Sequence, residues 1–210
     1  ELVDELSHEA RLMGAINTVA VRDGKLHGHN TDGPGFAAAI QEEFGMALGS
    51  LRVLILGGAG GAGRAITVQC ALAGCPKIIV ANRNSAKGET LAAEIKGQLE
   101  RNVTAISMDP SEVRTAVAAS DLIVNATPLG MKAQDTSPLP EGSESALSKD
   151  HLVYDTVYSG GNTALLRQAQ EAGAKSASGL SMLLHQGALA YKIWFGEPAP
   201  LETMRKALRS

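Results

Sequence analysis

Residues 51–67 read LRVLILGGAGGAGRAIT, and this stretch decides the fold class. Its first six residues form an apolar run with little alternation, which is typical of a strand buried on both faces of a parallel sheet. The glycines that follow match the spacing G-x-G-x-x-G at Gly58, Gly60 and Gly63, ahead of a predicted helix over 64–73. This order of strand, turn and helix indicates a dinucleotide-binding turn.

Each glycine of the turn has an expected role. We expect Gly58 to make the tight turn, Gly60 to let the backbone approach a pyrophosphate, and Gly63 to let the helix pack closely on the strand. The start of the helix then presents free N–H groups and partial positive charge to the phosphates. A tight turn without any ligand is the alternative, and the strand–helix context favours dinucleotide binding.

The end of the next predicted strand, residues 77–81, indicates which dinucleotide binds. In NAD sites an Asp or Glu about 20 residues after the glycines accepts hydrogen bonds from the ribose 2′-hydroxyl. This sequence has Asn82, Arg83 and Asn84 at that position. Arg83 can pair with a 2′-phosphate through two hydrogen bonds, and Lys87 adds positive charge. We therefore expect NADP rather than NAD, the alternative for Arg83 being a solvated surface side chain.

Strand-like and helix-like segments alternate through the middle of the chain. The predicted strands lie, with helices between them, over 51–56, 77–81, 103–108, 122–125, 152–155 and 175–178. Alternation of this kind predicts an α/β fold, a Rossmann-type doubly wound parallel sheet with helices on both faces.

The flanking segments predict part of a smaller α/β unit. Residues 16–31 contain two β-type runs around Asp23-Gly24, which is a hairpin signal. A helix is predicted over 36–44, and two more over 180–194 and 200–208.

The composition excludes several classes of function. Nineteen Lys and Arg against 22 Asp and Glu give a net charge of −3, which offers no electrostatic footprint for nucleic acid or an anionic membrane. No apolar run reaches the ~18 residues of a membrane span, and the first residues do not resemble a signal peptide. The histidines, Cys70 and Cys75 lack the spacing of metal ligands, so we expect no metal and a reducing, cytoplasmic compartment.

Two segments concentrate Asn, Thr and Asp in a way that a packed core does not require. One combines residues 14–18 with Asn30-Thr31-Asp32, and the other is Asn125-Ala126-Thr127 at the predicted end of a strand. Doubly wound sheets bind ligands at such strand ends. Asn125 could instead form an Asx turn, and Asp32 could form a turn before the glycines that follow it.

These segments resemble the motifs of the shikimate dehydrogenase family. The matching stretches run from near the first residue to near the last and read GAINTV, GHNTDGPGF, VLILGGAGGAGRA, ANR, DLIVNATPLGM, VYDTVY and GLSMLLHQGALAYKIWFG. The resemblance implies a reversible, NADP-dependent reduction of 3-dehydroshikimate to shikimate in aromatic amino-acid biosynthesis. It implies a small-molecule substrate and a monomer or homodimer.

The resemblance also implies roles for individual residues. Asn17 and Asp32 match the family's substrate-binding Asn and catalytic Asp, and Tyr158 and Gln186 match two further substrate contacts. The implied cofactor residues are Gly58, Ala59, Gly60, Gly61 and Ala62 at the pyrophosphate, Asn82, Arg83 and Lys87 at the 2′-phosphate, and Thr127, Thr156, Gly179 and Met182 around the nicotinamide. The family often has Thr or Ser at position 84, and Ala or Ser at position 63.

The implied domain division follows the same resemblance. We expect an incomplete substrate-binding domain over 1–49, an NADP-binding domain over 50–178, and C-terminal helices over 179–210 that pack back on the substrate domain. The family's catalytic lysine, in a motif resembling N-V-T-x-P-x-K, and its Ser-x-Ser pair are not in this sequence, and we expect both upstream of its first residue.

Alternative functions follow from the missing lysine. The chain is either a piece of a shikimate dehydrogenase or a non-catalytic NADP-binding relative, and its substrate-site residues favour the first. A quinate/shikimate dehydrogenase with NAD preference is a rival within the family. Glutamyl-tRNA reductase has a similar turn but needs a catalytic cysteine, whereas Cys70 and Cys75 are expected in a packing helix.

Overall fold

The computed structural model describes residues 2–158 and 161–209. Its strands are β1 Glu5–Leu6, β2 Thr18–Arg22, β3 Lys25–His29, β4 Arg52–Leu56, β5 Lys77–Ala81, β6 Thr104–Ile106, β7 Leu122–Asn125, β8 Leu152–Asp155 and β9 Lys175–Ser178. Its α-helices are α1 His8–Met13, α2 Asp32–Phe44, α3 Gly61–Ala73, α4 Ser85–Leu99, α5 Pro110–Ala118, α6 Ala164–Glu171, α7 Leu180–Phe195 and α8 Leu201–Arg209.

A parallel six-stranded sheet forms the centre of the molecule, in the order β6-β5-β4-β7-β8-β9. From β4 the chain moves outward to β6, then returns to place β7 on the other side of β4. This reversal leaves a crevice beyond the carboxyl ends of β4 and β7, where open α/β sheets bind ligands. The prediction of a Rossmann-type doubly wound sheet is confirmed.

Helices cover both faces of this sheet, which explains why its strands are continuously apolar. Val53 and Ile55 of β4 belong to one core cluster with residues of α3, and Leu54 and Leu56 belong to another with residues of α5. All four side chains are fully buried. A strand that is buried on both faces cannot alternate apolar with polar residues. The apolar run LRVLIL therefore predicts a strand covered by helices on both faces.

The predicted hairpin is confirmed as β2 and β3, which pair antiparallel. Its turn residues Asp23 and Gly24 both have positive φ, 52° and 76°, as a two-residue hairpin turn requires. A third strand, β1, pairs parallel with β3 and completes a small sheet in the order β1-β3-β2. Neither β1 nor α1 was expected, because two-residue strands and six-residue helices carry little periodicity.

Helix α2 begins at Asp32, four residues before the predicted start at position 36. Glycine has low helix propensity, which hides this start in the sequence. The structure explains the glycines: a Cβ on Gly33 would contact the Met13 side chain, and a Cβ on Gly35 would lie 2.8 Å from the backbone nitrogen of Gln186. Gly35 therefore lets α2 lie directly against α7.

The C-terminal helices return to the first part of the chain. Arg205 of α8 and His185 of α7 both bind the carboxylate of Glu42 on α2, and Trp194 donates its indole N–H to the carbonyl of Val19 on β2. These contacts attach the tail to the segment that precedes the large sheet. Within the described ranges, none of the helices is long and apolar enough to cross a membrane.

Candidate active site

The glycine turn follows β4, and Gly57 takes part in it beside the expected Gly58. The N–H of Gly60 binds the carbonyl of Gly57 at 3.0 Å, so Gly58 lies inside the tight turn as predicted. Gly57 enters the turn with a left-handed backbone, with φ of 78°. A Cβ on Gly58 would lie 2.8 Å from Cγ1 of Val80, so this glycine also lets the turn lie against β5.

Gly63 allows the close helix–strand approach that the motif predicts. A Cβ on Gly63 would contact the carbonyl oxygen of Gly57. The N-cap of α3 is Gly60, and its carbonyl accepts the N–H of Arg64 at 2.7 Å. The N–H groups of the three residues between them have no helical carbonyl to bind, and they form a site suited to a phosphate.

Gly61 is not required by the packing of the chain, and Gly60 has only one close neighbour. A Cβ on Gly60 would lie 3.3 Å from the carbonyl oxygen of Gly57, a tight contact, whereas a Cβ on Gly61 would meet no atom within 4 Å. A glycine that has room for a side chain fits a backbone that must approach a ligand closely. The loop therefore fits a pyrophosphate group.

Gly60→Ala separates the ligand role from the packing role. Alanine tolerates the backbone of Gly60, with φ of −80° and ψ of 178°, so we expect a stability loss below about 1 kcal/mol. We expect NADP+ binding, measured by calorimetry, to weaken by about tenfold or more, because a methyl group would occupy space beside the phosphates. Gly97→Ala on α4, where a Cβ would meet no atom within 4 Å, is the control and should leave binding unchanged. Unchanged binding in Gly60→Ala would remove Gly60 from the ligand site.

A cleft of about 360 Å³ joins the glycine turn to the end of β5. It is lined by Gly57, Ala59, Gly60, Asn82, Arg83, Asn84, Lys87, Met108, Ala126, Thr127, Pro128, Leu129 and Pro138. Among these described lining residues none carries a carboxylate, and two carry positive charge. The cleft therefore brings together most of the residues expected at the pyrophosphate and at the 2′-phosphate, and its charge suits a phosphate.

Asn84 has a structural role at the edge of this cleft. It is the N-cap of α4, and its side-chain oxygen accepts the N–H of Lys87 at 3.3 Å. Its backbone carbonyl accepts a hydrogen bond from the side chain of Asn82. Asn84 departs from the usual family pattern, but it still caps α4 and forms hydrogen bonds with Asn82 and Lys87, which line the cleft.

Thr127 reaches the same cleft from the end of β7. The side-chain oxygen of Asn125 accepts both the N–H of Thr127 at 2.9 Å and its hydroxyl at 2.7 Å. This is the Asx turn that the sequence left open as an alternative, and it places Cγ2 of Thr127 2.6 Å from where a Cβ on Gly57 would be. The turn is structural, and it positions a residue expected to contact the cofactor.

Thr156, Gly179 and Met182 come together beyond β8 and β9. A Cβ on Gly179 would contact the carbonyl oxygen of Thr156, so only a glycine allows this approach. The N–H of Gly179 binds the carbonyl of Val157 at 3.2 Å, and the N–H of Met182 binds the hydroxyl of Tyr154 at 3.1 Å. The start of α7 is thereby fixed against the end of β8.

A second cluster forms where α2 meets β2 and α7. The side-chain amide of Asn17 donates to Oδ1 of Asp32 at 2.9 Å and to the hydroxyl oxygen of Thr31 at 3.0 Å. The hydroxyl of Thr31 also lies 3.4 Å from Oε1 of Gln186. The structure thus brings Asn17, Asp32 and Gln186 together.

Asp32 is a partly buried carboxylate whose side chain is bound by a neutral partner. Burial raises the pKa of Asp32, and the hydrogen bond from Asn17 opposes that rise. A carboxylate with a raised pKa is suited to exchange a proton with a substrate hydroxyl.

Tyr158 stands apart from this cluster. Its side chain is 57% exposed, and among the described residues no hydrogen bond links it to Asn17, Asp32 or Gln186. Metal binding is a separate question. Within residues 2–158 and 161–209, no group of three or more His, Cys, Asp or Glu side chains could hold a metal ion.

Two residues of these clusters were missed as site residues. Thr31 is buried and connects Asn17 with Gln186. Asp155 is fully buried and accepts the side-chain amide of Asn125 at 2.8 Å. Asn125 and Asp155 end strands β7 and β8 in the same register, so an alignment of LIVN with LVYD could have found this pair.

Comparison with known proteins decides the family. Residues 38–135 match the family described as Shikimate / quinate 5-dehydrogenase, and residues 179–209 match the Shikimate 5'-dehydrogenase C-terminal domain. A shikimate dehydrogenase (NADP(+)) of Methanopyrus kandleri is 42% identical over 208 residues, which are 99% of this chain and 71% of that protein. The chain belongs to the shikimate and quinate dehydrogenase family.

Solved structures of the family have the same fold. The shikimate 5-dehydrogenase of Listeria monocytogenes, in complex with shikimate and NAD, superposes with a TM-score of 0.90 at 36% identity, covering 98% of this chain and 72% of that one. The shikimate 5-dehydrogenase of Thermus thermophilus, in complex with NADP(H) and shikimate, gives a TM-score of 0.82 at 35% identity, covering 99% and 72%.

Proposed function

We propose that this dehydrogenase catalyses the reversible, NADP-dependent reduction of 3-dehydroshikimate to shikimate. The observation that carries the proposal is the cluster in which Asn17 binds Asp32 and Thr31, and Thr31 in turn contacts Gln186, because a protein that only binds a dinucleotide does not need it. The name of the Methanopyrus kandleri relative supports the same activity and the same cofactor.

The residues of the chain divide the work of this reaction. The hydride acceptor for the oxidative direction would be supplied by NADP held at the cofactor site. Asp32 accepts or orients the proton of the substrate hydroxyl, for which it must be ionised. Asn17 holds the Asp32 carboxylate in place through its 2.9 Å hydrogen bond, and Gln186 contacts the substrate. Tyr158 is proposed as a further substrate contact.

The proposed cofactor residues are those at the positions that match the family's cofactor site. Gly58, Ala59, Gly60, Gly61 and Ala62 would hold the pyrophosphate, and Thr127, Thr156, Gly179 and Met182 would surround the nicotinamide. Asn82, Arg83 and Lys87 would bind the 2′-phosphate, which the carboxylate-free cleft supports.

The domain division is part of the same proposal. We assign residues 50–178 to the cofactor domain, which contains all six strands of the large sheet. Residues 1–49 and 179–210 would belong to the substrate side. The contacts of α7 and α8 with Glu42 and Val19 support that grouping.

A direct assay tests the activity. We expect the full-length protein, including the upstream segment expected to carry the family's lysine, to consume NADPH, measured by its absorbance, when 3-dehydroshikimate is added. It should use NADH and quinate less well. Binding of NADP+ is measured in parallel by calorimetry. Binding without turnover would show a non-catalytic NADP-binding relative, and preference for quinate with NAD would show the other alternative. Loss of both binding and turnover would refute the proposal.

Location and assembly complete the proposal. We propose a cytoplasmic enzyme, supported by two free, buried cysteines of the kind found in reducing compartments. We also propose a monomer or homodimer that acts on a small molecule. The net charge of −3 supports the absence of a nucleic-acid partner.

A further inference from the structure

Asp155, at the end of β8, is a buried carboxylate that the proposed reaction does not use. Its exposure is 0%, and burial raises its pKa, which its hydrogen bonds oppose. An ionised carboxylate in such a place is costly unless every oxygen is well bound. Burial of this carboxylate is therefore explained by its hydrogen bonds and not by apolar packing.

Both oxygens of Asp155 are bound, and by neutral groups. Oδ1 accepts the side-chain amide of Asn125 at 2.8 Å and the backbone N–H of Val157 at 3.1 Å. Oδ2 accepts the hydroxyl of Thr163 at 2.6 Å. Three separate segments, the end of β7, the segment after β8 and the N-cap of α6, therefore meet at one carboxylate.

Each bond to Oδ1 is one step from a residue of the proposed active site. Asn125, held by Oδ1, binds the N–H and hydroxyl of Thr127 in the cofactor cleft. Val157, held by the same oxygen, precedes Tyr158 and accepts the N–H of Gly179 through its carbonyl. The same carboxylate oxygen thus connects the Thr127 segment with the Val157 segment, which carries the proposed substrate contact Tyr158 and binds Gly179 on the nicotinamide side.

We propose that Asp155 is a positioning residue that holds the Thr127 segment and the Val157–Tyr158 segment at the spacing required for the cofactor and the substrate to bind together. This inference rests on the proposed function for the identity of the two ligands. The hydrogen-bond geometry at Asp155 is independent of it.

The variants Asp155→Ala and Asp155→Asn test the proposal by opposite expectations. Alanine removes all three bonds, so KM for shikimate and Kd for NADP+ should each rise by about tenfold or more. Asparagine keeps an oxygen in the Oδ1 position, so both values should stay within about fivefold of the wild type. The pH dependence of kcat should not move in either variant, because Asp32 is untouched.

His151→Ala is the matched control, since it removes a buried polar side chain just before the opposite end of the same strand. His151 binds Ser148 and the carbonyl of Val117, at the end of β8 opposite to Asp155. The His151→Ala substitution should lower the unfolding temperature without raising KM for shikimate or Kd for NADP+. Equal rises of KM and Kd in His151→Ala and Asp155→Ala, at equal stability loss, would show a merely structural role.

Hydrogen exchange at the amides of Thr127 and Val157 gives a readout besides activity. Both amides should exchange faster in Asp155→Ala than in the wild type and in His151→Ala. An inactive wild type with this exchange pattern would overturn the proposed function and leave the positioning role intact. Unchanged exchange, or an Asn variant as impaired as the Ala variant, would overturn the positioning role.

A second variant covers the case in which Asp155→Ala does not fold. Thr163→Val removes the donor to Oδ2 and also the N-cap hydrogen bond that the Thr163 hydroxyl accepts from the N–H of Leu166, whereas Thr163→Ser keeps both bonds and is the control. In Thr163→Val we expect KM for shikimate to rise by about fivefold and Kd for NADP+ to stay unchanged. A rise in Kd for NADP+ without a rise in KM for shikimate would contradict the proposed role of Asp155.

Discussion

Asp32→Asn should lower kcat for shikimate oxidation by about 10²- to 10⁴-fold, the usual contribution of a positioned proton acceptor. The substitution removes the charge and the ability to take a proton but keeps the side chain's shape. An asparagine oxygen can still accept the amide of Asn17, which donates to Oδ1 of Asp32 at 2.9 Å. NADP+ binding should stay nearly unchanged, because Asp32 lies outside the cofactor cleft.

The pH dependence of the wild type follows from the direction of the pKa shift. Burial raises the pKa of Asp32, and Asp32 must be ionised to accept a proton. The rate of shikimate oxidation should therefore fall as the pH is lowered through this raised pKa, and Asp32→Asn should lack that limb. A rate profile measured in both directions, with kcat separated from KM, checks the assignment.

Ionisation of Asp32 should raise the rate of oxidation but lower the free energy of unfolding. Because the folded pKa of Asp32 lies above the unfolded value, ionisation destabilises the fold, and the stability contributed by this group is lost as the pH rises from the unfolded to the folded pKa. Asp32→Asn should therefore not lower the unfolding temperature at neutral pH. Asp150→Asn, an exposed carboxylate, is the control and should change neither rate nor stability. Collapse of NADP+ binding in Asp32→Asn would make Asp32 structural.

The large sheet could be predicted from the sequence because its physical cause is local. A strand covered on both faces must be apolar throughout, and Val53 to Leu56 are all fully buried. The glycine turn was equally visible, since the close approaches at Gly58 and Gly63 leave no room for a side chain. The left-handed backbone of Gly57 was not predicted, because the motif spacing begins at Gly58.

The substrate cluster was harder to predict, since its contacts join residues far apart in the chain. Asn17 and Asp32 were assigned by resemblance, but the connection from Thr31 to Gln186 spans 155 positions and depends on the α2–α7 contact. That contact rests on Gly35, which with Gly33 also hid the start of α2. The same two glycines thus hid the start of α2 and its close contact with α7, whereas Gln186 itself was assigned by resemblance.

Arg83→Ala should weaken NADP+ binding by about 10- to 100-fold, the range for charge-assisted hydrogen bonds, and leave NAD+ binding nearly unchanged. Arg83 lines the cleft at the end of β5 beside Asn82 and Lys87, and its side chain is exposed. The two cofactors differ only in the 2′-phosphate, so an effect confined to NADP+ locates that group at Arg83. Lys87→Ala should give a smaller loss with the same selectivity, because an ammonium group cannot form the paired bonds of a guanidinium.

Arg114→Ala on α5 is the control for a general change of surface charge. It is exposed and lies outside this cleft, so it should affect neither cofactor. Calorimetric titrations of NADP+ and NAD+ at two salt concentrations measure the difference, and the loss in Arg83→Ala should shrink at the higher salt. Equal weakening of both cofactors would place Arg83 at a part of the dinucleotide that NAD+ shares. The preference for NADP+ would then not depend on Arg83, and its place in the carboxylate-free cleft would no longer explain the choice of cofactor.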